Sequence, residues 1–211
     1  GNSTTAAVDY FRRHGFVVML NALDSEKLCK MRALSAELVR IAVHADRHGN
    51  RGQRRYSLGR TTVVGAGLAL VDSSPVCAVL EELWGSERFS VQCTGGDFSL
   101  PGAETQDLHA DVPAREVAAQ LYAYHDPENP ERTFMELPTP VVKVYFPMVD
   151  LDERTGPPRF VPGSHERFAR EDVPPPTLEP PTVRAFCPAG SAIIMDQRVW
   201  HGGTPNLSEF V

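Results

Sequence analysis

The chain has 211 residues, of which 42% are hydrophobic and 23% are charged, and its formal net charge is −6. These values are typical of one globular domain with a proper core. The acidic balance argues against a broad basic face for nucleic acid. Because no apolar run approaches the length of about 18 residues expected of a transmembrane helix, we expect neither nucleic acid nor a membrane as a partner.

The termini and cysteines bear on location. The N-terminus lacks the basic region and apolar stretch of a signal peptide. The cysteines, Cys29, Cys77, Cys93 and Cys187, are far apart in the chain and form no C-x-x-C pair. Such spacing favours free thiols over a disulfide framework or a zinc knuckle. We therefore predict a cytoplasmic or other intracellular reducing compartment.

The first part of the chain, about residues 1–87, is predicted to be mostly helical. "AAVDYFRRHGF" indicates a short amphipathic helix that stops at Gly15, and "FVVML" indicates a strand. A long helix should begin at Asp24 or Ser25 as N-cap and end at Gly49, since apolar residues recur at steps of three and four between them. "PVCAVLEELWG" predicts another helix, ending at Gly85.

An arginine-rich stretch, "RHGNRGQRRYSLGR", separates these helices. It could form a patch for an anionic substrate or cosubstrate. The alternative is an ordinary solvated loop, and we favour that interpretation. The arginines concerned are Arg47, Arg51, Arg54, Arg55 and Arg60.

From about residue 88 the pattern changes to short strands between turns. The candidate strands are "RFSVQC", "DFSL", "PVVKVYFPMV", "PRFVPGS", two within "TVRAFCPAGSAIIM", and "RVWHGG". Many short strands separated by proline and glycine predict a sandwich or jelly-roll barrel. Two irregular insertions, 112–140 and 170–182, are either lids or substrate walls on that scaffold, or stiff polar connectors.

A His-x-Asp pair lies in "QDLHADVP". In a strand, His109 and Asp111 would point to the same face; the plainer alternative is a surface turn. A second histidine, His201, ends the apolar segment "SAIIMDQRVWH". Two imidazoles and one carboxylate are the facial triad of non-haem iron(II) oxygenases, which leaves open positions for substrate atoms and oxygen. This set does not impose the closed tetrahedral cage of structural zinc.

Several segments together resemble the phytanoyl-CoA dioxygenase family of Fe(II)- and 2-oxoglutarate-dependent oxygenases, over most of the chain. The opening "VDYFRRHGFVVMLNALDSEKLCKMRALSAEL", "LHAD", "VVKVYFPMVDLDERTGPPRFVPGSHE" and "PAGSAIIMDQRVWHGGTPNLS" carry the resemblance. It implies a mainly β fold with flanking α-helices, a double-stranded β-helix or cupin-like jelly roll. It also implies a single domain over 1–211, with a helical part about 1–87 and a barrel core about 88–211.

The resemblance also implies the chemistry. His109, Asp111 and His201 would bind Fe(II), and 2-oxoglutarate and O2 would be cosubstrates. The implied reaction hydroxylates an aliphatic C–H of a small molecule, acyl-CoA or natural-product-like, and yields succinate and CO2. Since related halogenases replace the carboxylate with a small residue, Asp111 argues against halogenation. The substrate's identity and the oligomeric state are open.

Other residues are assigned to the cosubstrate pocket by the same resemblance. Tyr145 would lie beside the cosubstrate, on the same strand face as Lys143. An inward Lys143 should meet an acid, the cosubstrate or the substrate, because burying it alone is costly; otherwise it extends to the barrel mouth. His165, in "PGSH", would lie near the metal pocket or, alternatively, would tie a turn. Gln106 is a weaker candidate for lining the pocket.

One feature of the family is missing from the sequence. The family binds the distal carboxylate of 2-oxoglutarate with an arginine about eleven residues after the distal histidine. From His201 this position falls beyond Val211, so we expect the natural protein to continue and to supply it. The family's small hydroxyl residue two places after that histidine is replaced by Gly203, and Thr204 is its possible substitute.

Two alternatives remain open at the level of sequence. The chain could be a catalytically inactive barrel homologue that acts as a ligand- or partner-binding module, and an arginine just past residue 211 would argue against this. It could also be a cupin-like zinc or manganese enzyme that turns over without a cosubstrate.

Overall fold

The computed structural model describes residues 3–59, 67–111, 139, 141–166 and 180–209. The two predicted insertions fall almost entirely outside these ranges, as does Arg60. In chain order the elements are α1 (Ser3–His14), β1 (Phe16–Met19), α2 (Ser25–Ala45), β2 (Arg55–Ser57), α3 (Leu68–Val71), α4 (Ser74–Trp84), β3 (Asp97–Ser99), β4 (Val142–Tyr145), β5 (Pro158–Phe160), β6 (Val183–Arg184), β7 (Ala192–Asp196) and β8 (His201–Gly203).

The helix boundaries follow local chemistry in most places. α1 stops at Gly15, whose φ of 82° is the left-handed conformation that glycine adopts without strain. Asp24 caps α2 as predicted, because its carboxylate accepts the backbone N–H of Lys27 at 2.7 Å. The predicted end of α2 at Gly49 is wrong. The helix ends at Ala45, and Asp46 accepts the N–H groups of residues 48 and 49 instead.

α4 ends at Gly85 in the left-handed conformation, as predicted. The strand predicted over "RFSVQC" (88–93) is absent from the described structure, where this stretch is irregular. Its alternating apolar residues are used separately: the Phe89 ring contacts Trp84 with centroids 5.5 Å apart, while Val91 is 45% exposed. The alternating apolar residues of 88–93 therefore do not form a β-strand, because no partner strand pairs with them in the described structure.

The first sheet has the order β1-β7-β4, with both pairings antiparallel. Every residue of β7 is buried, so this strand has apolar neighbours on both faces. Ala192 and Ile194 pack on one side with α1 and α4, while Ile193 and Met195 pack on the other. The N-terminal strand β1 is thus an integral part of a sheet whose other members come late in the chain.

The second three-stranded sheet has the antiparallel order β6-β5-β8, and β2 pairs with β3 separately. Phe160 of β5 packs with Phe16, Ile193 and Met195 in one buried cluster. The two sheets therefore face each other across this cluster, and helices α1 and α4 cover the outer face of the first sheet.

The expectation of antiparallel sheets with flanking helices is confirmed, while closure into a barrel stays a prediction. All four cysteines are free thiols, as predicted. In the described ranges, no helix has both the length and the apolar character needed to span a bilayer.

Candidate metal centre

His109, Asp111 and His201 come together between the two sheets. One ligand atom from each lies within 4.8 Å of the others. His201 Nε2 is 3.6 Å from Asp111 Oδ2, and His109 Nε2 is 4.0 Å from Asp111 Oδ1. Among the described residues this is the group with the donors and spacing of a metal site. The three side chains predicted as ligands are therefore brought to one point.

Hydrogen bonds of the backbone set the tautomer of both histidines. His109 Nδ1 lies 3.0 Å from the carbonyl oxygen of Asp107, and His201 Nδ1 lies 3.0 Å from that of Val199. A carbonyl only accepts, so each Nδ1 carries the proton and each Nε2 keeps a free lone pair. Those lone pairs are on the atoms that approach Asp111. This is the arrangement in which histidine binds a metal.

Backbone hydrogen bonds also fix the Cα positions of the three triad residues. His109 and His201 form an antiparallel bridge, with N···O distances of 2.9 and 2.8 Å. Asp111 is held by its N–H, which donates to the carbonyl of Gln197 at 2.9 Å. The turn after β7 therefore supports both sides of the triad, since Gln197 anchors the aspartate and Val199 orients the second histidine.

Lys143 meets an acid, as predicted for an inward lysine. Its Nζ donates to Asp111 Oδ2 at 2.5 Å. Burial would by itself raise the pKa of Asp111. In the acidic range where a carboxyl group titrates, however, His201 and Lys143 both carry positive charge, and these charges with the lysine hydrogen bond hold that pKa below its usual value. Asp111 is thus a carboxylate at neutral pH and offers a charged oxygen to a cation.

Tyr145 lies two residues further along β4, on the face that Lys143 shares. The register confirms this face, because Lys143 opposes Met195 and Tyr145 opposes Ile193, and both of these pack between the sheets. Lys143 Nζ is 5.7 Å from the Tyr145 ring centroid. Burial raises the pKa of Tyr145 well above its usual value, so its hydroxyl keeps its proton and can donate a hydrogen bond.

His201 is supported from behind by aromatic rings. The Phe160 ring lies 6.1 Å from the imidazole, and Phe16 stacks on Phe160 with centroids 4.3 Å apart. Burial lowers the pKa of His201, although the charge of Asp111 opposes this shift. The imidazole is therefore neutral at neutral pH, which is the form that binds metal.

Gln106 and Thr204 hold β8 in place. Gln106 Oε1 accepts the N–H of Gly203 at 3.1 Å, and its backbone N–H donates to the Gly203 carbonyl at 2.9 Å. Thr204 is buried, and its hydroxyl donates to the carbonyl of Pro157 at 2.6 Å. The observed contacts of both side chains are thus with the protein backbone beside the triad.

His165 lies at the end of α1. Its Nε2 is 3.1 Å from the carbonyl oxygen of Arg12, and its ring covers Gly15, where an added Cβ would come within 2.6 Å of Nδ1. The structure does not bring His165 together with the triad. Its contacts match the alternative interpretation, a structural histidine that ties a turn.

The arginine-rich stretch is docked on the protein through two of its members. Arg54 Nη1 donates to the carbonyl of Pro101 at 2.5 Å. Arg55 donates from Nε and Nη2 to the carbonyl of Glu104, and from Nη2 to that of Thr204. Neither a solvated loop nor a free basic patch describes these two side chains.

Sequence reasoning missed the carbonyls of Gln197 and Val199 and the ring of Phe160 as supports of the site. Every residue has a backbone carbonyl, so nothing in the sequence indicated which carbonyls would support the site. Phe160 had one: it lies in "PRFVPGS", a predicted strand, and an aromatic residue at the position paired with His201 would have indicated contact.

The sequence profile of the phytanoyl-CoA dioxygenase (PhyH) family matches residues 11–211. The chain belongs to this family, and the class of protein is that of the iron- and 2-oxoglutarate-dependent oxygenases.

Solved structures share the fold at low identity. AviO1 from Streptomyces viridochromogenes Tue57 superposes with a TM-score of 0.62 at 18% identity, over 97% of this chain and 89% of that one. The α-ketoglutarate-dependent carbocyclase SnoK from nogalamycin biosynthesis gives 0.60 at 18%, over 97% and 78%. The epimerase SnoN, solved with Fe3+, α-ketoglutarate and nogalamycin RO, gives 0.58 at 18%, over 98% and 79%.

Iron, 2-oxoglutarate and O2 are accordingly the cofactor and cosubstrates. The donor set fits iron, because two neutral imidazole nitrogens and one ionised carboxylate are available together. The predicted family, cofactor and cosubstrates are thereby confirmed.

Proposed function

We propose that the chain hydroxylates an aliphatic C–H bond of a small-molecule substrate, with consumption of 2-oxoglutarate and release of succinate and CO2. The observation that supports this best is the triad itself, in which Asp111 is a charged carboxylate and both histidines keep a free Nε2. A carboxylate in this position leaves no ligand place for a halide, and hydroxylation is then the simplest outcome.

His109, Asp111 and His201 would hold the iron, which when bound supplies the oxidative chemistry. Lys143 holds Asp111 through Oδ2 and so leaves Oδ1 directed to His109. Tyr145, on the same strand face, would offer its protonated hydroxyl to the cosubstrate as a hydrogen-bond donor. Thr204 and Gln106 keep β8 against the neighbouring segments, so that His201 stays aligned.

The substrate would bind beside the triad, on the inner face of β4 and β8. SnoK and SnoN are a carbocyclase and an epimerase from nogalamycin biosynthesis, and SnoN is solved with nogalamycin RO. These names support a small-molecule substrate of natural-product type. The same names indicate two reactions that compete with hydroxylation as the proposal for this chain, namely ring closure and epimerisation.

The iron site is tested by anaerobic titration with Fe(II) and then 2-oxoglutarate, followed by the visible charge-transfer band. We expect a band that needs both additions. His109→Ala and Asp111→Ala each remove a direct metal ligand. Each should therefore weaken Fe(II) binding by more than the roughly 10- to 100-fold typical of removing a residue that only hydrogen-bonds to a ligand. His44→Ala, on the exposed side of α2, is the matched control and should bind as the wild type does.

The reaction type is tested by mass spectrometry of products formed under 18O2 from a panel of natural products and acyl-CoA esters. Hydroxylation gives a product that is one 18O atom heavier. A product of unchanged mass would indicate epimerisation in place of hydroxylation. A product lighter by two hydrogen atoms would indicate desaturation or ring closure. A folded protein without the band would favour the binding-module alternative.

A further inference from the structure

The two oxygens of the Asp111 carboxylate face different histidines. Oδ2 lies 3.6 Å from Nε2 of His201, and Oδ1 lies 4.0 Å from Nε2 of His109. Each Nε2 keeps the lone pair that a metal would use. Since a carboxylate can bind a cation through one oxygen or through both, the triad by itself does not decide which of the two ways Asp111 binds.

Lys143 makes the two oxygens unequal. Its Nζ donates a charge-assisted hydrogen bond to Oδ2 at 2.5 Å, and within the described ranges Asp111 is the acid that pairs with this lysine. The same Nζ lies over the Tyr145 ring, 5.7 Å from its centroid, where the face of the ring attracts a cation. Contacts with two residues therefore hold the ammonium at Oδ2.

The charge of Lys143 matters more than its hydrogen bond. A carboxylate oxygen has enough lone pairs to accept a hydrogen bond and bind a metal at once. An ammonium and a divalent cation on one oxygen, however, would lie a few ångströms apart, where like charges repel strongly. The side chains of Lys143 and Asp111 are 35% and 21% exposed, so water screens this repulsion less than it would at the surface.

We propose that Lys143 is a positioning residue that reserves Oδ2 of Asp111, so that the carboxylate binds the metal through Oδ1 alone. This rests on the metal site of the proposed function. The coordination place that the second oxygen would take then stays open for the small molecules of the reaction. Lys143 acts through Asp111 and needs no contact with the metal or the substrate.

The test loads the metal-free chain with Mn(II), a divalent ion that carboxylate oxygens bind well. The number of water ligands on Mn(II) is measured from the broadening of its electron paramagnetic resonance lines in 17O-enriched water. Infrared spectra of protein labelled with 13C-carboxyl aspartate distinguish binding through one oxygen from binding through both. Dissociation constants for Mn(II) are measured in parallel.

Lys143→Met and Lys143→Gln both remove the charge, and glutamine retains a hydrogen-bond donor. In both variants we expect Asp111 to bind through both oxygens and Mn(II) to carry one water ligand fewer than in the wild type. The affinity for Mn(II) should rise by roughly 10-fold, because a like charge beside the ion has been removed. Lys143→Arg keeps the charge and should keep the wild-type water count.

Lys27→Met is the matched control. It removes another lysine–aspartate pair, in which Lys27 Nζ lies 2.9 Å from Oδ1 of Asp72. The Asp72 side chain is 76% exposed, and the pair joins α2 to the residue after α3. The water count, the infrared bands and the affinity should all match those of the wild type.

A wild type in which Asp111 binds through both oxygens would overturn the inference, as would neutral variants with the wild-type water count. A fall in affinity of roughly 10- to 100-fold at an unchanged water count would make Lys143 only a support of the ligand. If Lys143→Met does not fold, Lys143→Gln decides. A wild type that binds neither Mn(II) nor Fe(II) would overturn the proposed function as well, whereas normal binding with one water count in all variants overturns only the role of Lys143.

Discussion

Asp196→Asn tests how the turn after β7 supports the metal centre. The carboxylate of Asp196 is buried and accepts three hydrogen bonds from Arg198: from N and Nε to Oδ1, both at 2.9 Å, and from Nη2 to Oδ2 at 2.6 Å. The side chains of Asp196 and Arg198 are 1% and 7% exposed. Asparagine has the shape of aspartate but no negative charge, and its amide NH2 group would face Nη2 of Arg198, which is itself a donor.

Breaking a buried pair on one side costs about 3–5 kcal/mol, because the Arg198 guanidinium no longer faces an opposite charge at this position. For a chain of this size each kcal/mol shifts the thermal midpoint by about 2–4 °C, so we expect a fall of about 6–20 °C. The turn also carries the carbonyls of Gln197 and Val199, which hold Asp111 and orient His201. Metal affinity should therefore fall by roughly 10- to 100-fold in the folded protein.

The assays are urea and thermal unfolding of the metal-free protein, and calorimetric titration with Fe(II) at low temperature. Glu37→Gln is the control, since it removes the exposed pair of Glu37 with Arg40 and should leave both measurements unchanged. Asp196→Asn with Arg198→Met should recover part of the stability. A loss below about 1 kcal/mol in the single variant would show that the pair does not hold this turn.

Two further predictions concern the neighbourhood of the site. Burial lowers the pKa of His165 below its unfolded value, so the metal-free protein should be fully stabilised by this group above about pH 6.5 and should lose that stability as the pH falls through the folded pKa. Thermal midpoints from about pH 8 to 5 should fall less steeply in His165→Gln, and superimposable curves would contradict the linkage. Gly202→Ala would place its Cβ 2.9 Å from the carbonyl oxygen of Gln106 and 3.0 Å from that of Asp107, which forces the His109 segment away from β8. We expect a stability cost of about 1–3 kcal/mol and weaker Fe(II) binding by calorimetry; wild-type affinity would show that the two segments move together.

Local chemistry made much of the chain predictable. The cap at Asp24 and the stops at Gly15 and Gly85 depend on a few neighbouring residues, and each was expected from them. The triad was expected from the His-x-Asp pair and His201 together with the resemblance to the phytanoyl-CoA dioxygenase family, which assigned the three as iron ligands. Alternation along β4 also indicated that Lys143 points inward to an acid.

Other features depend on which distant segments meet. β1 belongs to the same sheet as β7, and the bridge between His109 and His201 joins segments far apart in sequence. The irregular course of 88–93 has the same origin, because a strand needs a partner as well as alternation. Such pairings are decided by long-range packing, which periodicity does not encode.

The sequence by itself determined where α1 and α4 end, where α2 begins, which residues of β4 share a face and which residues are able to bind iron, since those follow from side-chain chemistry and short-range geometry. Only the tertiary structure decided what surrounds the iron ligands. The resemblance placed His165 near the metal pocket or, alternatively, in a structural turn, and its contact with the Arg12 carbonyl is of the second kind. Arg55, for which we favoured an ordinary solvated loop, packs its guanidinium against Gly203 of β8. The physical reason is that a side chain's role depends on the neighbours that the folded backbone brings to it.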